Sequence, residues 1–542
     1  MFPDNVSISL KNFKSLKEIN NFKIRPLTFL FGKNGSGKNS FIQSLLFLSH
    51  NIQNFKEERD YRRMERVNSS FYKSNLFDLI DFDNIKGKYS SENYFSISLT
   101  LPIGFETYYK SIDEIDISWI FKNVNSNNAK QIEELKKYFV DSIHLADRAT
   151  IGFKSIEEYS IEFKFSMQKD SMTSPVELIT IKNSKNRVLY QICPNKHSKE
   201  AYIQNDIDYS FFEVPWKNEF IKNLFKNDFI TGAPLFFRDA YEIDKEQDFQ
   251  LFINVLSEYL KEQPNEIFWL QSNDLEKEEI IKEIIRSYFL LYFNIPQVVR
   301  DFILDISYVP SLRETPKSFY LSENDQFEED IYYGLLYDLD EKTKFKRLGS
   351  ATSLDLIEFI NKYIRLLKLG DALTLESKNK GNELFAINII EKGHKINISQ
   401  SSSGFKQLLP IIYKSYYDTS LSRSRRFVEK MCIIEQPELH LHPSLQASMV
   451  EMFLDDQLKH RNFIIETHSE HIIRKVQVLI AKGELDKDRV AVYYFDKDEK
   501  TGNTSIKKME LEDNGFFKEP WPDGFFDDSY NLARELIYAR KN

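Results

Sequence analysis

The chain has 542 residues, and 73 basic against 82 acidic side chains give it a formal net charge of −9. This length suits two or three domains, and a hydrophobic content of 42% with 14% aromatic residues excludes a globally disordered chain. Every apolar run is far shorter than the ~18–20 residues of a membrane-spanning helix, so we expect no membrane partner.

Targeting and redox features predict a cytoplasmic protein. The first ten residues lack the basic and apolar regions of a secretory signal. The two cysteines, Cys193 and Cys432, are too far apart for a CxxC metal motif, and one crosslink would constrain little of so long a chain. We therefore expect a reducing compartment and no zinc hook.

The pattern of the N-terminal part predicts a strand, a turn, a strand, a loop and a helix in that order. Residues 6–10 alternate between apolar and polar, residues 26–31 form a short apolar run, and residues 38–50 carry a helical apolar face. Three later segments alternate like half-buried strands, and they predict an antiparallel layer beside this first unit: 94–101, 158–166 and 177–192.

The middle of the chain has a helical pattern from about 205 to 370. Residues 276–293 predict one helix with Asn273 or Asp274 as its cap, and residues 354–369 predict another between Ser353 and Gly370.

Strands and helices alternate again from residue 383 onward. The predicted strands are 384–390, 431–434, 462–465 and 490–495, and the predicted helices are 405–417, 444–456 and 470–482. Such alternation favours a parallel sheet with helices on its faces. The predicted fold is therefore α/β: a phosphate-loop ATPase head with a mixed sheet and an antiparallel layer, interrupted by a mainly helical insertion. The predicted divisions are 1–204 and 371–485 for the two parts of the head, 205–370 for the insertion and 486–542 for a tail.

A glycine cluster predicts a phosphate-binding loop. The chain has only 17 glycines, yet Gly32, Gly35 and Gly37 fall within six residues and complete a G-x-x-x-x-G-K pattern with Lys38. In this pattern backbone N–H groups surround the phosphates, the helix N-terminus adds positive potential, and the lysine reaches the β and γ oxygens. The candidate nucleotide contacts are Asn34, Gly35, Ser36, Gly37, Lys38, Asn39 and Ser40.

The residue after Lys38 departs from the pattern. Serine or threonine normally stands there and ligates Mg²⁺ through its hydroxyl, but this chain has Asn39 followed by Ser40. An asparagine carbonyl is also a hard oxygen donor, so either residue is a candidate metal ligand. We expect ATP binding with Mg²⁺ but slow hydrolysis.

A second acidic motif ends an apolar strand at Glu435. This carboxylate is the second candidate Mg²⁺ ligand, while Gln436 occupies the position where a catalytic glutamate often follows. Glu438 then becomes the candidate for acting on the attacking water through a shifted position. His468, after the next predicted strand, is a candidate sensor of the γ-phosphate.

A serine-rich turn before the helix at 405–417 predicts a second anion cradle. Ser402, Ser403 and Gly404 place small residues at the start of that helix, about 30 residues before Glu435. A simple helix cap is the plainer interpretation of the same residues.

Together these motifs resemble the ABC-type ATPase heads of the SMC, RecF and OLD superfamily. Residues 11–16 are similar to its N-terminal strand motif, 32–40 to Walker A, 401–407 to a divergent signature, 433–443 to Walker B with the D-loop, and 467–469 to the switch histidine. No glutamine stands out as a Q-loop. The resemblance implies a homodimer or higher homo-oligomer in which the phosphate loop of one copy faces the signature of another.

Within this superfamily the chain most resembles the PtuA family, the ATPases of Septu and some retron anti-phage defence systems. Residues 521–527 and 308–313 are similar to motifs of such defence ATPases. The resemblance implies an HNH nuclease partner of the PtuB kind, a reverse transcriptase with its msDNA in a retron context, and contact with nucleic acid through the complex.

Two alternatives remain open. A RecF-like DNA-binding clamp would use basic clusters at 59–66 and 423–426 for phosphate contacts. A self-contained OLD-like nuclease would use Asp496 and Asp498 as a TOPRIM metal site, although the Glu-Gly turn that such a site needs is missing between 440 and 495.

Overall fold

A computed structural model describes most of the two ends of the chain and part of its middle. The described residues are 6–57, 73–74, 77–79, 82–86, 92–103, 157–166, 176–182, 188–192, 306–321, 331–339, 353–377, 384–416, 430–458 and 461–522. The predicted helix at 276–293, both arginine clusters and the end of the tail motif lie outside them. Among the described residues, no helix combines the length and the apolar character needed to cross a membrane.

The first layer is an antiparallel sheet in the order β2-β1-β6-β7-β8-β9. Its strands are β1 (Val6–Phe13), β2 (Leu16–Ile24), β6 (Tyr94–Ile103), β7 (Glu157–Ser166), β8 (Val176–Lys182) and β9 (Val188–Ile192). Two short strands, β4 (Lys73–Ser74) and β5 (Phe77–Asp78), pair with each other, and helix α2 (Phe82–Ile85) follows. The predicted antiparallel layer is thus confirmed, with 177–192 divided into two strands.

The second layer is a mixed sheet in the order β10-β15-β16-β3-β17-β18. Its strands are β3 (Leu27–Gly32), β10 (Ile306–Val309), β15 (Lys430–Glu435), β16 (Arg461–Glu466), β17 (Val490–Lys497) and β18 (Thr504–Lys508). Neighbouring strands are parallel except for β18, which pairs antiparallel with β17. The carboxyl ends of β3, β15 and β16 therefore meet at one edge of the sheet, where ligands bind in open α/β sheets.

Helix α1 (Lys38–Glu57) lies between the two layers. Its Phe47 contacts aromatic rings of the antiparallel sheet, with ring centroids 5.0 Å from Phe165, and its Phe41 contacts Phe495 of β17 at 6.0 Å. The helical apolar face read from the sequence is therefore buried on two sides.

Within the described ranges, five more helices cover the opposite face of the mixed sheet and share one buried apolar cluster with it. They are α3 (Ile331–Leu339), α4 (Ser353–Leu366), α5 (Ser403–Ser415), α6 (Pro443–Phe453) and α7 (Glu470–Ala481). Short 3₁₀ turns occur at Ile398–Gln400, Asp456–Leu458 and Lys487–Arg489.

One strand prediction needs correction. Strand β13 (Leu384–Glu391) does not join the parallel sheet but lies in an antiparallel sheet with β11 (Tyr320–Leu321), β12 (Ala372–Ser377) and β14 (His394–Asn397). The reason is local: Lys392 and Gly393 adopt φ of 50° and 79°, the backbone of a two-residue hairpin turn. A hairpin of this kind returns the chain antiparallel.

Parts of the predicted insertion and of the predicted tail pack with the mixed sheet. Strand β10 and helices α3 and α4 fall within the predicted insertion at 205–370 yet pack into the mixed sheet and its apolar cluster. Strands β17 and β18 fall in the predicted tail yet complete the mixed sheet. The described part of both segments is therefore continuous with the head, because its apolar faces are buried against the same sheet.

Candidate functional site

The glycine loop joins β3 to α1 and encloses the Lys38 ammonium. Lys38 is 3% exposed, and its Nζ donates to the carbonyl oxygens of Gly32 at 2.8 Å and Lys33 at 3.0 Å. Asn34 and Gly35 are exposed at the tip, whereas Ser36 and Gly37 are buried. Burial lowers the pKa of Lys38, and the nearby Glu466 carboxylate opposes this shift. A cation held inside a loop of backbone N–H groups suits a polyphosphate.

Two buried carboxylates end neighbouring strands beside this loop. Glu435 ends β15 and Glu466 ends β16, and the parallel register places these two residues opposite each other. Glu466 Oε1 lies 3.6 Å from Lys38 Nζ. Burial raises the pKa of Glu466 to about 7, with Lys38 lowering it and Glu435 adding to the rise. Glu466 was not among the predicted site residues; its signal in the sequence is a carboxylate that ends the strand after Glu435.

Glu435 is oriented by the segment that follows β10. The Tyr308 hydroxyl donates to its Oε1 at 3.0 Å, and the Ser311 backbone N–H donates to its Oε2 at 3.4 Å. Burial, followed by the Glu435 charge, raises the pKa of Tyr308, so this phenol stays a hydrogen-bond donor. Both carboxylate oxygens still have lone pairs available for a metal ion or a water.

Arg313 fixes the turn after Glu435. Its guanidinium donates to the carbonyl oxygens of Glu435 at 2.7 Å and Gln436 at 3.2 Å, and to Gln407 Oε1 on α5 at 2.5 Å. Gln436 has a φ of 42°, which is uncommon for a residue other than glycine. Burial lowers the pKa of Arg313 to about 10, which keeps it charged at neutral pH. The motif at 308–313 was noted in the sequence without a role.

Glu438 and His468 form a connected pair. Glu438 accepts hydrogen bonds from the Thr467 hydroxyl and from the His468 backbone N–H, both at 2.7 Å. Each of its oxygens therefore accepts one hydrogen bond, and burial raises its pKa. The His468 Nε2 is buried without a hydrogen-bond partner among the described residues, and burial together with the Lys38 charge lowers its pKa. A neutral imidazole beside Lys38 is available to a ligand.

The candidate metal ligands have suitable chemistry. Asn39 is exposed and Ser40 half-buried at the start of α1, and Glu435 is 6% exposed. Within the described part of the chain, no three His, Cys, Asp or Glu side chains cluster as a metal site. Magnesium at a nucleotide needs fewer protein ligands, because it takes one or two carboxylates together with phosphate oxygens and waters. The donor set therefore fits Mg²⁺ accompanying a nucleotide.

The predicted signature residues lie at the start of α5. Ser402 caps α5, with its Oγ accepting from the Phe405 N–H at 3.2 Å, while Ser403 is exposed and Gly404 half-exposed. No hydrogen bond within the described residues joins these three to the phosphate loop. The helix that they begin, α5, is linked to the turn after Glu435 because its Gln407 accepts a hydrogen bond from Arg313.

Asp498, one of the two candidate residues of the alternative nuclease site, stabilises a surface turn. Asp498 Oδ1 accepts from the N–H groups of Lys500 and Thr501, each at 2.8 Å, and these bonds lower its pKa. Asp496 and Lys497 are exposed at the end of β17. These contacts are those of a surface hairpin.

Comparison with known proteins identifies two families along the chain. The family described as "AAA ATPase domain" matches residues 6–473, and the family described as "Protein of unknown function (DUF3696)" matches residues 485–536. No curated protein matches the chain.

Several solved structures of Smc head domains are similar to the chain. The Pyrococcus furiosus head, solved with the C-terminal domain of ScpA, is 11% identical with a TM-score of 0.34, over 98% of each chain. The Thermotoga maritima head is 10% identical with a TM-score of 0.34, over 93% of this chain and 98% of its own. The Pyrococcus yayanosii head is 12% identical with a TM-score of 0.35, over 94% and 97%.

Proposed function

The chain belongs to the AAA ATPase domain family, and we propose that it is an ATP-binding, slowly hydrolysing subunit that pairs head to tail with a second copy of itself. The observation that carries ATP binding is the position of the Lys38 ammonium inside the glycine loop, beside the carboxylates that end β15 and β16. Phosphate oxygens would replace the Gly32 and Lys33 carbonyls as acceptors of the Lys38 protons.

Magnesium, when bound with the nucleotide, neutralises phosphate charge, and Glu435 with Asn39 or Ser40 would hold it. The remaining groups of the site bind the phosphates or position the residues that do. The N–H groups of the loop and of the first turn of α1 bind phosphate oxygens. Tyr308 and Arg313 hold Glu435 and its turn in place. His468 Nε2 is free to contact the terminal phosphate.

Slow turnover follows from the groups near the expected attacking water. Gln436 carries an uncharged amide, which cannot accept a proton as a carboxylate does. Glu438, the next carboxylate along the chain, lies three residues beyond Gln436 and is held in place by hydrogen bonds from Thr467 and His468, so no carboxylate stands at the usual position of the base. General-base assistance contributes typically 10²–10⁴-fold to a rate, so its absence leaves the nucleotide bound for long.

The ATPase experiment compares wild type, Lys38→Ala and Gln436→Glu. We expect wild type to bind a fluorescent ATP analogue and to hydrolyse ATP at well below the ~1 s⁻¹ that marks the low end of typical enzymes. Lys38→Ala abolishes binding, Gln436→Glu raises turnover, and Glu484→Gln on the surface changes neither. Brisk hydrolysis by the protein alone, lost in Lys38→Ala, would contradict the sensing role.

Head-to-tail pairing is supported by the separation of the two anion cradles. The α5 N-terminus at Ser402 and Ser403 is accessible and makes no hydrogen bond to the loop of its own chain. ATP between two copies would join one loop to the other copy's signature. Light scattering with a non-hydrolysable ATP analogue should show a dimer that Ser403→Arg prevents, and a monomer under both conditions would refute the pairing.

We propose further that this dimer controls an HNH nuclease supplied in trans, as part of an anti-phage defence complex in the cytoplasm. The support is the motif resemblance to the PtuA family, and nucleic acid would be contacted through the complex. Co-purification with an HNH nuclease encoded by a neighbouring gene, and nucleotide control of its cleavage, tests this. A reverse transcriptase and msDNA join the assay where they are encoded nearby. Salt-sensitive DNA binding without any nuclease partner would instead favour the RecF-like clamp.

A further inference from the structure

Both end glycines of the phosphate loop lie against the C-terminal part of the chain. Gly32 has a φ of 144°, and a Cβ there would lie 2.3 Å from the Phe495 carbonyl oxygen. Gly37 has a φ of 108°, and its Cβ would lie 2.4 Å from Thr504 Oγ1. A side chain at either position would therefore meet strand β17 or β18. The loop has no space on this side because β17 and β18, which lie within the segment 485–536 matched by the family of unknown function, supply its wall.

Thr504 makes a specific contact with the loop. Its Oγ1 donates to the Ser36 carbonyl oxygen at 2.9 Å and lies 2.9 Å from the Ser15 hydroxyl, and its backbone N–H donates to Ser15 O at 2.8 Å. A carbonyl only accepts, so the single Thr504 proton goes to Ser36 and the Ser15 hydroxyl donates to Thr504. Thr504 thus ties the β1–β2 turn, the phosphate loop and β18 together in a buried position.

This hydrogen bond orients a peptide group. The Ser36 C=O and the Gly37 N–H belong to one planar trans peptide, so they point in opposite directions. Holding the carbonyl toward Thr504 turns the Gly37 N–H away from β18, toward the side of the loop where Lys38 follows. Glycine at 37 leaves the peptide free to rotate, and the Thr504 bond restricts that rotation before any nucleotide arrives.

Ring packing makes the wall rigid. Trp521 contacts Phe31 at a centroid distance of 5.2 Å and Tyr494 at 6.3 Å, and Phe495 pairs with Gly32 in the parallel register of β17 and β3. The residue before the loop and the residues against it are therefore fixed by the same C-terminal segment.

We propose that the C-terminal segment of unknown function forms part of the ATP site, with Thr504 as a positioning residue that holds the phosphate loop in its nucleotide-binding shape. The proposal rests on the ATP binding proposed above. It gives this segment a role within the ATPase head, since its first two strands complete the sheet and its hairpin threonine orients the loop.

The test measures affinity for a fluorescent ATP analogue in full-length variants. Thr504→Val keeps the shape but loses the hydroxyl, and we expect its Kd to rise roughly tenfold because the Ser36 carbonyl loses its partner. Thr504→Ser keeps the hydroxyl and restores affinity to within about twofold of wild type. Ser505→Ala, an exposed hydroxyl one residue along the same strand, is the matched control and binds as wild type. Hydrogen exchange of the peptide over 32–41 rises in Thr504→Val alone.

Two results overturn the proposal: Thr504→Val binds as tightly as wild type, or Thr504→Ser is as weak as Thr504→Val, which would show that the methyl group and not the hydroxyl matters. Should Thr504→Val fail to fold, Thr504→Ala carries the test against Thr504→Ser, because these two variants differ only by the hydroxyl that donates to Ser36; we expect the Kd of Thr504→Ala to be roughly tenfold higher, and equal Kd values overturn the proposal. Failure of the wild-type protein to bind ATP is a different outcome, and it refutes the proposed function instead.

Discussion

Replacing Glu466 by glutamine should change how the stability of the protein depends on pH. Glu466 is 7% exposed, and burial raises its pKa from 4.5 to about 7 despite the Lys38 ammonium 3.6 Å away. Each pKa unit corresponds to 1.36 kcal/mol, so the 2.5-unit rise corresponds to about 3 kcal/mol. This is a large fraction of the free energy of unfolding of a typical domain.

The sign follows from proton binding. Between pH 4.5 and about 7 the folded protein keeps the Glu466 proton while the unfolded chain has lost it, so the free energy of unfolding falls as pH rises. The stabilising contribution of the protonated carboxyl is complete below pH 4.5 and is lost as pH rises through about 7. Glutamine resembles the protonated form at every pH. The Glu466→Gln variant should therefore gain about 3 kcal/mol on wild type between pH 4.5 and pH 8.

The assay is urea unfolding at several pH values, without nucleotide and with EDTA, followed by tryptophan fluorescence, since Trp521 contacts Phe31 beside the loop. The exposed Glu484→Gln variant should keep the wild-type dependence. A Glu466→Gln variant that keeps the same slope, or that is less stable than wild type at pH 8, would refute the reasoning: the ion pair with Lys38 would then outweigh the cost of burying the carboxylate.

Three further changes test the site. Gly37→Ala should weaken ATP binding and lower stability by about 1–3 kcal/mol through backbone strain plus the clash with β18, while Gly35→Ala, with open space around it, should cost about 1 kcal/mol, as thermal melts will show. Arg313→Lys should lower kcat about tenfold with little change in the Kd for ATP, because lysine cannot hold three acceptors in one plane; equal losses in kcat and affinity would contradict this. Thr467→Val should remove the hydrogen bond that orients Glu438 beside His468 and reduce hydrolysis several-fold without loss of binding, and an unchanged rate would show that this orientation of Glu438 does not matter.

Much of the fold could be read from local patterns. The apolar periodicity of α1 and the apolar runs of β3, β15 and β16 lie within single segments. The structure confirms the three strands within one or two residues and α1 with an end seven residues later than predicted. Strand β2 was not predicted, because its buried residues mostly recur every three positions and not every two as in a regular strand. A shift in its register with β1 accompanies this pattern. Strand β10 was missed because it has four residues and its partner β15 lies more than 120 residues later.

The sequence alone determined the phosphate loop, because its chemistry is contained in seven consecutive residues: backbone N–H groups, positive φ at the glycines and one lysine. It also marked Glu435, His468 and the unusual Asn39 by their places after strands. Only the tertiary structure decided which other groups hydrogen-bond to the loop and to the turn after Glu435. The bonds from Thr504 to Ser36 and from Arg313 to Glu435 join residues separated by 468 and 122 positions. No local pattern records such a contact, since it arises only when the strands of one sheet bring distant segments to the same edge.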